Sequence, residues 1–143
     1  MLAAIIVILD RVSKGLVVAN VPLGTEVPAI DHVVWIAHTQ NSCAAFGQGC
    51  TLSFLFVPLY AAVAIGVIVY EVRSTSPTWS EAMLGLILGG TIGNGYDRVV
   101  HSGSVTDFIA LHFWPVFNVA DSAISVAVVS LLAGYLLRKT PDG

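Results

Sequence analysis

Charged residues are scarce in this 143-residue chain: Asp, Glu, Lys and Arg together make up 10% of it, whereas 56% is hydrophobic. A soluble domain carries about 25% charged residues, so this chain has too few of them to cover a surface that faces water. Its mean hydropathy of +0.85 points the same way. The net charge of −3 also provides no basic surface for nucleic acid. The composition therefore predicts an integral membrane protein.

The sequence also has few cysteines, and it lacks the motifs of several enzyme classes. Two cysteines, Cys43 and Cys50, are too few for a disulfide framework, although the two could pair in an oxidising compartment. There is no H-E-x-x-H zinc motif, and His32 with His38 makes a weak metal spacing. No serine has both an evident base and a third partner. These absences disfavour metallopeptidase and serine peptidase chemistry.

Long apolar segments, in contrast, are abundant. A helix needs about 20 apolar residues to cross a bilayer, and four segments qualify, at residues 1–21, 52–70, 81–100 and 118–137. Residues 22–51 contain the β-branched run HVVWIAHT, which is typical of a strand. The length allows a single domain over residues 1–143. The expected fold is a membrane all-α bundle of four transmembrane helices with a small extracytoplasmic β-rich platform at about residues 22–51.

The few basic residues predict the orientation of this bundle. Arg73 lies between the second and third segments, and Arg138 with Lys139 follows the fourth. Cytoplasmic loops carry an excess of Lys and Arg, so these positions place both termini in the cytoplasm. The platform and the connection at 101–117 would then lie on the opposite side of the membrane.

Two polar groups interrupt the apolar segments. Asp10 and Lys14 are four residues apart, so on a helix they share a face and can pair. Asn94, Asp97 and Arg98 follow at i, i+3 and i+4 at the end of the third segment. Either group could be a structural polar cluster, but ionisable residues within a membrane also indicate function.

Asp107 and Asp121 are the candidate catalytic residues. Asp121 has a structural explanation, because Asn118 can cap the fourth helix and Asp121 then lies at its third position. That explanation does not extend to Asp107, an acid in the apolar context VTDFIA. Two carboxyls in one site of low dielectric share a proton, and such a pair can act as general base and general acid. The two residues together predict an aspartyl dyad.

Five motifs, in order along nearly the whole chain, resemble the lipoprotein signal peptidase (signal peptidase II) family of membrane aspartic proteases. They are D-x-x-S-K at 10–14, N-x-x-A-A-F-G at 41–47, G-G-x-x-G-N-x-x-D-R at 89–98, V-x-D-F-I at 105–109 and F-N-x-A-D-x-x-I at 117–124. One departure is Cys43, where the family usually has glycine. That difference concerns the shape of the pocket rather than the reaction.

The resemblance implies a specific activity. Family members cut lipid-modified prolipoproteins just before the diacylglyceryl-modified cysteine, in the bacterial inner membrane, without a metal or organic cofactor. Asp107 and Asp121 match the catalytic aspartates. The resemblance also implies inhibition by peptide antibiotics such as globomycin, and we expect a monomer. The positions that match residues lining or supporting the substrate pocket are Asn41, Asn94, Asp97, Arg98, Asn118, Ala120, Asp10 and Lys14.

Two other classes of protein stay open at this stage. A small proton- or ion-coupled carrier could use the charged residues of the first and third segments as a relay. The glycines at 85, 89 and 93 form a row that allows close helix packing, so a non-catalytic assembly subunit is a further hypothesis. The carrier hypothesis is weakened because no internal repeat is visible and the acids cluster at one edge.

Overall fold

The computed structural model describes residues 1–43, 53–74 and 79–138. These residues form four helices and three strands. The helices lie within a few residues of the four predicted apolar segments. In chain order the elements are α1 (Leu2–Asn20), β1 (Glu26–Ile30), β2 (Val34–Asn41), α2 (Ser53–Arg73), α3 (Trp79–Val100), β3 (Val105–Ala110) and α4 (Val119–Arg138).

Two of the four described helices, α2 and α4, are long and apolar enough to cross a membrane, over Leu55–Arg73 and Val119–Leu137. Most of their side chains point away from the rest of the chain, as Ile65 on α2 and Val129 on α4 do. Helices with outward apolar faces are expected where the solvent is lipid. Helices α1 and α3 carry four buried charged residues, Asp10, Lys14, Asp97 and Arg98, so for them membrane crossing stays a prediction.

Helix α3 packs against the other three helices, and glycine makes the close approaches. A Cβ atom added at Gly89 would lie 2.7 Å from the backbone oxygen of Ala3 on α1. A Cβ atom at Gly90 would meet the backbone of Ala120 on α4. The glycine row of α3 therefore packs helices within this chain, as small residues do in membrane helices.

The three strands form an antiparallel sheet in the order β1-β2-β3. It lies where α1 and α3 end and α4 begins. The predicted strand is confirmed, but it starts at Val34 because His32 has a positive φ of 61° in the preceding turn. The predicted platform at about residues 22–51 supplies β1 and β2, whereas β3 comes from the 101–117 connection, for which no strand was predicted. The β-branched and aromatic residues around Asp107 favour a strand, and the single acid obscured that pattern.

Part of the predicted platform, at residues 44–52, lies outside the described residues. Cys43, at the edge of the described chain, is disulfide-bonded. Cys50, the other cysteine of the sequence, lies outside the described residues. Of the two basic residues at the end of the fourth predicted segment, Arg138 is the last residue of α4, and Lys139 lies outside the described residues.

Candidate active site

Asp107 lies in the middle of β3, and strand pairing fixes its surroundings. The register places it opposite Thr39 on β2, whose hydroxyl donates a hydrogen bond of 3.0 Å to the backbone oxygen of Asp107. Asn41, two residues further along β2, donates its side-chain amide to Asp107 Oδ2 at 2.8 Å. Asn118 donates to the other carboxyl oxygen, Oδ1, at 2.7 Å. Asp107 is 3% exposed, and its carboxyl is held at both oxygens.

These surroundings change the pKa of Asp107. Burial raises its pKa to about 6, and the nearby charge of Asp121 acts in the same direction. The amides of Asn41 and Asn118 oppose this increase, because their hydrogen bonds favour the ionised form. Burial prevails, so the pKa of Asp107 lies above that of an exposed aspartate.

Asp121 lies in the first turn of α4, where it forms a capping box with Asn118. The backbone N–H of Asp121 donates to Asn118 Oδ1 at 2.9 Å, and the backbone N–H of Asn118 donates to Asp121 Oδ2 at 3.2 Å. Asn94 donates its side-chain amide to Asp121 Oδ1 at 2.7 Å. The structural explanation of Asp121 is therefore confirmed. It does not exclude the catalytic one, because the same carboxyl lines a cavity together with Asp107.

The buried ammonium group of Lys14, on α1, is linked to Asp121 through Asn94. Lys14 Nζ lies 2.8 Å from Asp10 Oδ2 and 2.9 Å from Asp97 Oδ2, and it donates to Asn94 Oδ1 at 3.0 Å. Asp10 Oδ1 in turn accepts a 3.1 Å hydrogen bond from the backbone N–H of Ala120. The predicted pairing of Asp10 with Lys14 is thus present. Through Asn94 the ion pair reaches Asp121.

Arg98 occupies a different part of the site from Asp97, although the two are neighbours on α3. Its guanidinium donates to the backbone oxygens of Cys43, at 2.9 Å, and Gly103. The Cζ atom also lies 4.2 Å from the ring centroid of Phe56 on α2. Arg98 therefore joins the end of the β2 segment, the end of α3 and α2 around one cavity.

The cavity has a volume of about 860 Å³ and is open at one side. Ligand-binding pockets commonly have volumes of about 300–1,000 Å³. The predicted site residues that line it are Asn41, Asn94, Arg98, Asp107 and Asp121. The remaining predicted residues lie behind this lining and hold it in place through the bonds above: Asp10, Lys14, Asp97, Asn118 and Ala120.

Sequence reasoning missed two features of the site. Arg11 forms an ion pair with Asp97, and its guanidinium lies 4.5 Å from the ring of Tyr96. Arg11 is the third charged residue in the apolar helix α1, beside Asp10 and Lys14. A charge in such a context is a signal that it has a buried partner, and the prediction of site residues did not use this signal. Tyr60 on α2 lines the cavity, and its uncharged surroundings in the sequence gave no signal at all.

One histidine of the weak metal spacing, His38, has a structural partner. His38 is buried, and its Nδ1 donates to the backbone oxygen of Val21 at 2.7 Å. In residues 1–43, 53–74 and 79–138, no group of three or more His, Cys, Asp or Glu side chains is placed to hold a metal ion.

A bundle of apolar helices in which a buried carboxyl, Asp107, and a half-buried one, Asp121, line one cavity is the arrangement that a membrane aspartic peptidase requires. The chain is similar in sequence to known peptidases and in structure to known membrane enzymes. The family model described as signal peptidase (SPase) II matches residues 2–137. The chain belongs to this family.

The curated relatives include three lipoprotein signal peptidases. The one from Geobacillus kaustophilus is 40% identical, covering 99% of this chain and 94% of the relative. The one from Bacillus subtilis is 39% identical, with 96% and 92% covered. The one from Rhodococcus jostii is 36% identical, with 99% and 74% covered. A solved bacterial membrane enzyme superposes with a TM-score of 0.88 at 25% identity, covering 99% of this chain and 91% of that structure.

These comparisons decide between the classes of protein that the sequence left open. The chain is a protease of the aspartic type and resides in a membrane. They give no support to the carrier hypothesis.

Proposed function

We propose that this protein removes the signal peptide from diacylglyceryl-modified prolipoproteins by cutting before the lipidated cysteine. The observation that carries the proposal is the placement of Asp107 and Asp121 on one cavity, with Asn118 bonded to both residues. Membership of the signal peptidase II family supplies the substrate class.

The two carboxyls would work as a pair that shares one proton. The ionised carboxyl takes a proton from water, whose oxygen attacks the carbonyl carbon of the scissile peptide bond. The protonated carboxyl donates toward the carbonyl oxygen and stabilises the charge that develops there. When the tetrahedral intermediate collapses, the C–N bond breaks and a proton passes to the leaving nitrogen. The proton belongs to the pair and is assigned to neither residue.

Three asparagines keep this pair oriented. Asn41 and Asn118 each donate to one oxygen of Asp107, and Asn94 donates to Asp121. Neutral amides can orient a carboxylate without neutralising it, so one carboxyl stays available as a base. A charged partner in direct contact would instead favour ionisation of both.

We further propose that all four helices span the bacterial inner membrane as a single domain, with both termini in the cytoplasm. The position of Arg73 at the end of α2 opposite to the sheet supports this orientation. The sheet and the dyad would then lie at the extracytoplasmic face. There the exposed side chains of Phe113 and Trp114 on the cavity rim adjoin the lipid in which the acyl chains of a substrate remain. Inhibition by globomycin and action as a monomer belong to the same proposal.

The test of the activity uses the purified protein in detergent micelles with two synthetic precursors that differ only in the diacylglyceryl group. We expect mass spectrometry to show a product that begins with the lipidated cysteine, and little cleavage of the unlipidated precursor. Cleavage at another bond, or equal cleavage of both precursors, would contradict the proposed substrate.

The hydrogen bond from Asn41 predicts a pH effect. Because it lowers the pKa of Asp107, the Asn41→Ala variant should retain the shared proton to higher pH. The alkaline limb of kcat/KM against pH should move upward by about 0.5 to 1 unit, the equivalent of one hydrogen bond. Gln40→Ala is the matched control, since Gln40 bonds Thr106 and no carboxyl. A limb that stays in place or moves to lower pH in Asn41→Ala would refute this role.

A further inference from the structure

Helix α2 contributes an aromatic face to the cavity, made of Phe56 and Tyr60. The two residues are one turn apart and both line the cavity. Their helix carries no charged residue until Glu71, near its far end, and neither residue belongs to the five motifs. A tyrosine hydroxyl is costly to bury in an apolar site unless it has a hydrogen-bonding partner.

The partner of Tyr60 is Arg98. The Tyr60 hydroxyl interacts with the Arg98 guanidinium, which also lies over the ring of Phe56. The position of Tyr60 is fixed by Gly95 on α3, where an added Cβ atom would lie 3.4 Å from the Tyr60 Cβ. The tyrosine is therefore packed tightly against α3 at the level of Arg98.

The contact between Arg98 and Tyr60 leaves the O–H of Tyr60 free to donate a hydrogen bond. A guanidinium has donors and no acceptor, whereas a tyrosine hydroxyl can accept and donate. Between Arg98 and Tyr60, the tyrosine oxygen must therefore accept, and its own O–H is left for another acceptor. The positive charge polarises this O–H and strengthens it as a donor. Tyr60 also lines the same cavity as Asp107 and Asp121, so a substrate bound at the dyad would lie beside this tyrosine.

We propose that Tyr60 is a further substrate-contacting residue, whose hydroxyl donates a hydrogen bond to the peptide carbonyl oxygen that becomes negatively charged during cleavage. The tyrosine keeps its proton throughout and forms no covalent bond. Its contribution is a donor aimed at developing charge, which lowers the barrier more than it strengthens substrate binding. The inference rests on the proposed peptidase function and adds a third group to the dyad.

Tyr60→Phe tests this role, because it removes the hydroxyl and keeps the ring that packs against Gly95. We expect kcat for a lipidated precursor to decrease by about 10- to 100-fold, somewhat less than the loss of an isolated oxyanion-hole donor since the dyad remains. KM should change by less than about 3-fold, as expected when an interaction forms mainly in the transition state. The control is Tyr70→Phe on the same helix, whose side chain is exposed and whose loss should leave both constants unchanged.

The outcomes separate this inference from the function on which it rests. A Tyr60→Phe enzyme with the kcat of Tyr70→Phe, alongside an inactive Asp107→Asn enzyme, would overturn the role of Tyr60 alone. Full activity of Asp107→Asn would overturn both proposals. A raised KM with unchanged kcat, or a lower Tm that accounts for the lost activity, would show that the hydroxyl binds or packs rather than stabilises the transition state. The predicted loss of kcat at unchanged Tm supports the proposal.

Discussion

Asparagine in place of either Asp107 or Asp121 lowers kcat for a lipidated precursor by about 10³- to 10⁴-fold, near the upper range for a general acid–base residue. Asparagine has nearly the shape of aspartate, but it can neither ionise nor hold the shared proton. Both positions are bonded through side-chain oxygens to amides, and an amide side chain can rotate to retain part of these bonds. The fold should therefore persist while the chemistry stops. The measurement is kcat in micelles, with Tm as the check on folding.

Two comparisons make this first prediction sharp. Asp31→Asn changes an exposed acid in the turn between β1 and β2, and it should cleave like the wild type. The double variant Asp107→Asn/Asp121→Asn should be no more than a few-fold slower than either single variant, because residues that act as a unit are not additive. Single losses that multiply in the double variant would show two independent contributions, and near-normal turnover in either single variant would disprove the dyad.

The helices of this fold could be predicted from the sequence, and the pairing of strand β3 could not. An uninterrupted apolar segment dictates a helix in lipid because each backbone polar group must be paired within it. Strand β3 depends instead on pairing with a partner about 66 residues away, as the bond between Asn41 and Asp107 shows. Local pattern carries little information about such long-range pairing.

The same distinction applies to the site: contacts within one helix could be predicted, and contacts between helices could not. Spacing alone predicted that Asp10 and Lys14 pair, since they share a helix face. It could not show that Lys14 also binds Asp97 on α3, because that contact requires the close α1–α3 packing at Gly93. For the same reason Tyr60 escaped prediction: its role arises from the contact between α2 and α3, and its own neighbours in the sequence are apolar.

The motifs identified the dyad more firmly than physical reasoning on Asp121 did. Taken alone, Asp121 is well explained as a member of a helix capping box, and that capping box is present. The two roles use different parts of the residue. Its backbone and one oxygen complete the cap with Asn118, while the other oxygen is bonded by Asn94. A residue that satisfies a structural rule can thus be functional as well.

Lys14→Met lowers the free energy of unfolding by about 3–5 kcal/mol, the usual cost of removing one partner from a buried ion pair. Lys14 is 1% exposed, and its three N–H donors are matched by Asp10, Asp97 and Asn94. Methionine fills much the same space but leaves the two acids, both fully buried, without this cation. Reversible unfolding of the purified protein in mixed micelles with increasing SDS measures the loss.

The variant should also lose activity beyond its lost stability. Without Lys14, Asn94 Oδ1 keeps only the hydrogen bond from Asn118. The Asn94 amide is then held less firmly toward Asp121, so kcat should decrease even under conditions where the variant is fully folded. Val12→Ala is the control from the same helix, because Val12 is exposed and its truncation should cost well under 1 kcal/mol, as is usual for surface changes.

A second substitution tests whether unpaired charge is the cause. Asp10→Asn in the Lys14→Met background removes one uncompensated carboxylate and keeps an oxygen that can accept from the N–H of Ala120. This double variant should recover at least about 1 kcal/mol relative to Lys14→Met, since contacting residues couple by amounts of this order. If the second substitution instead destabilises the protein further, Lys14 acts through packing rather than through charge, and the electrostatic account of the α1–α3 contact is wrong.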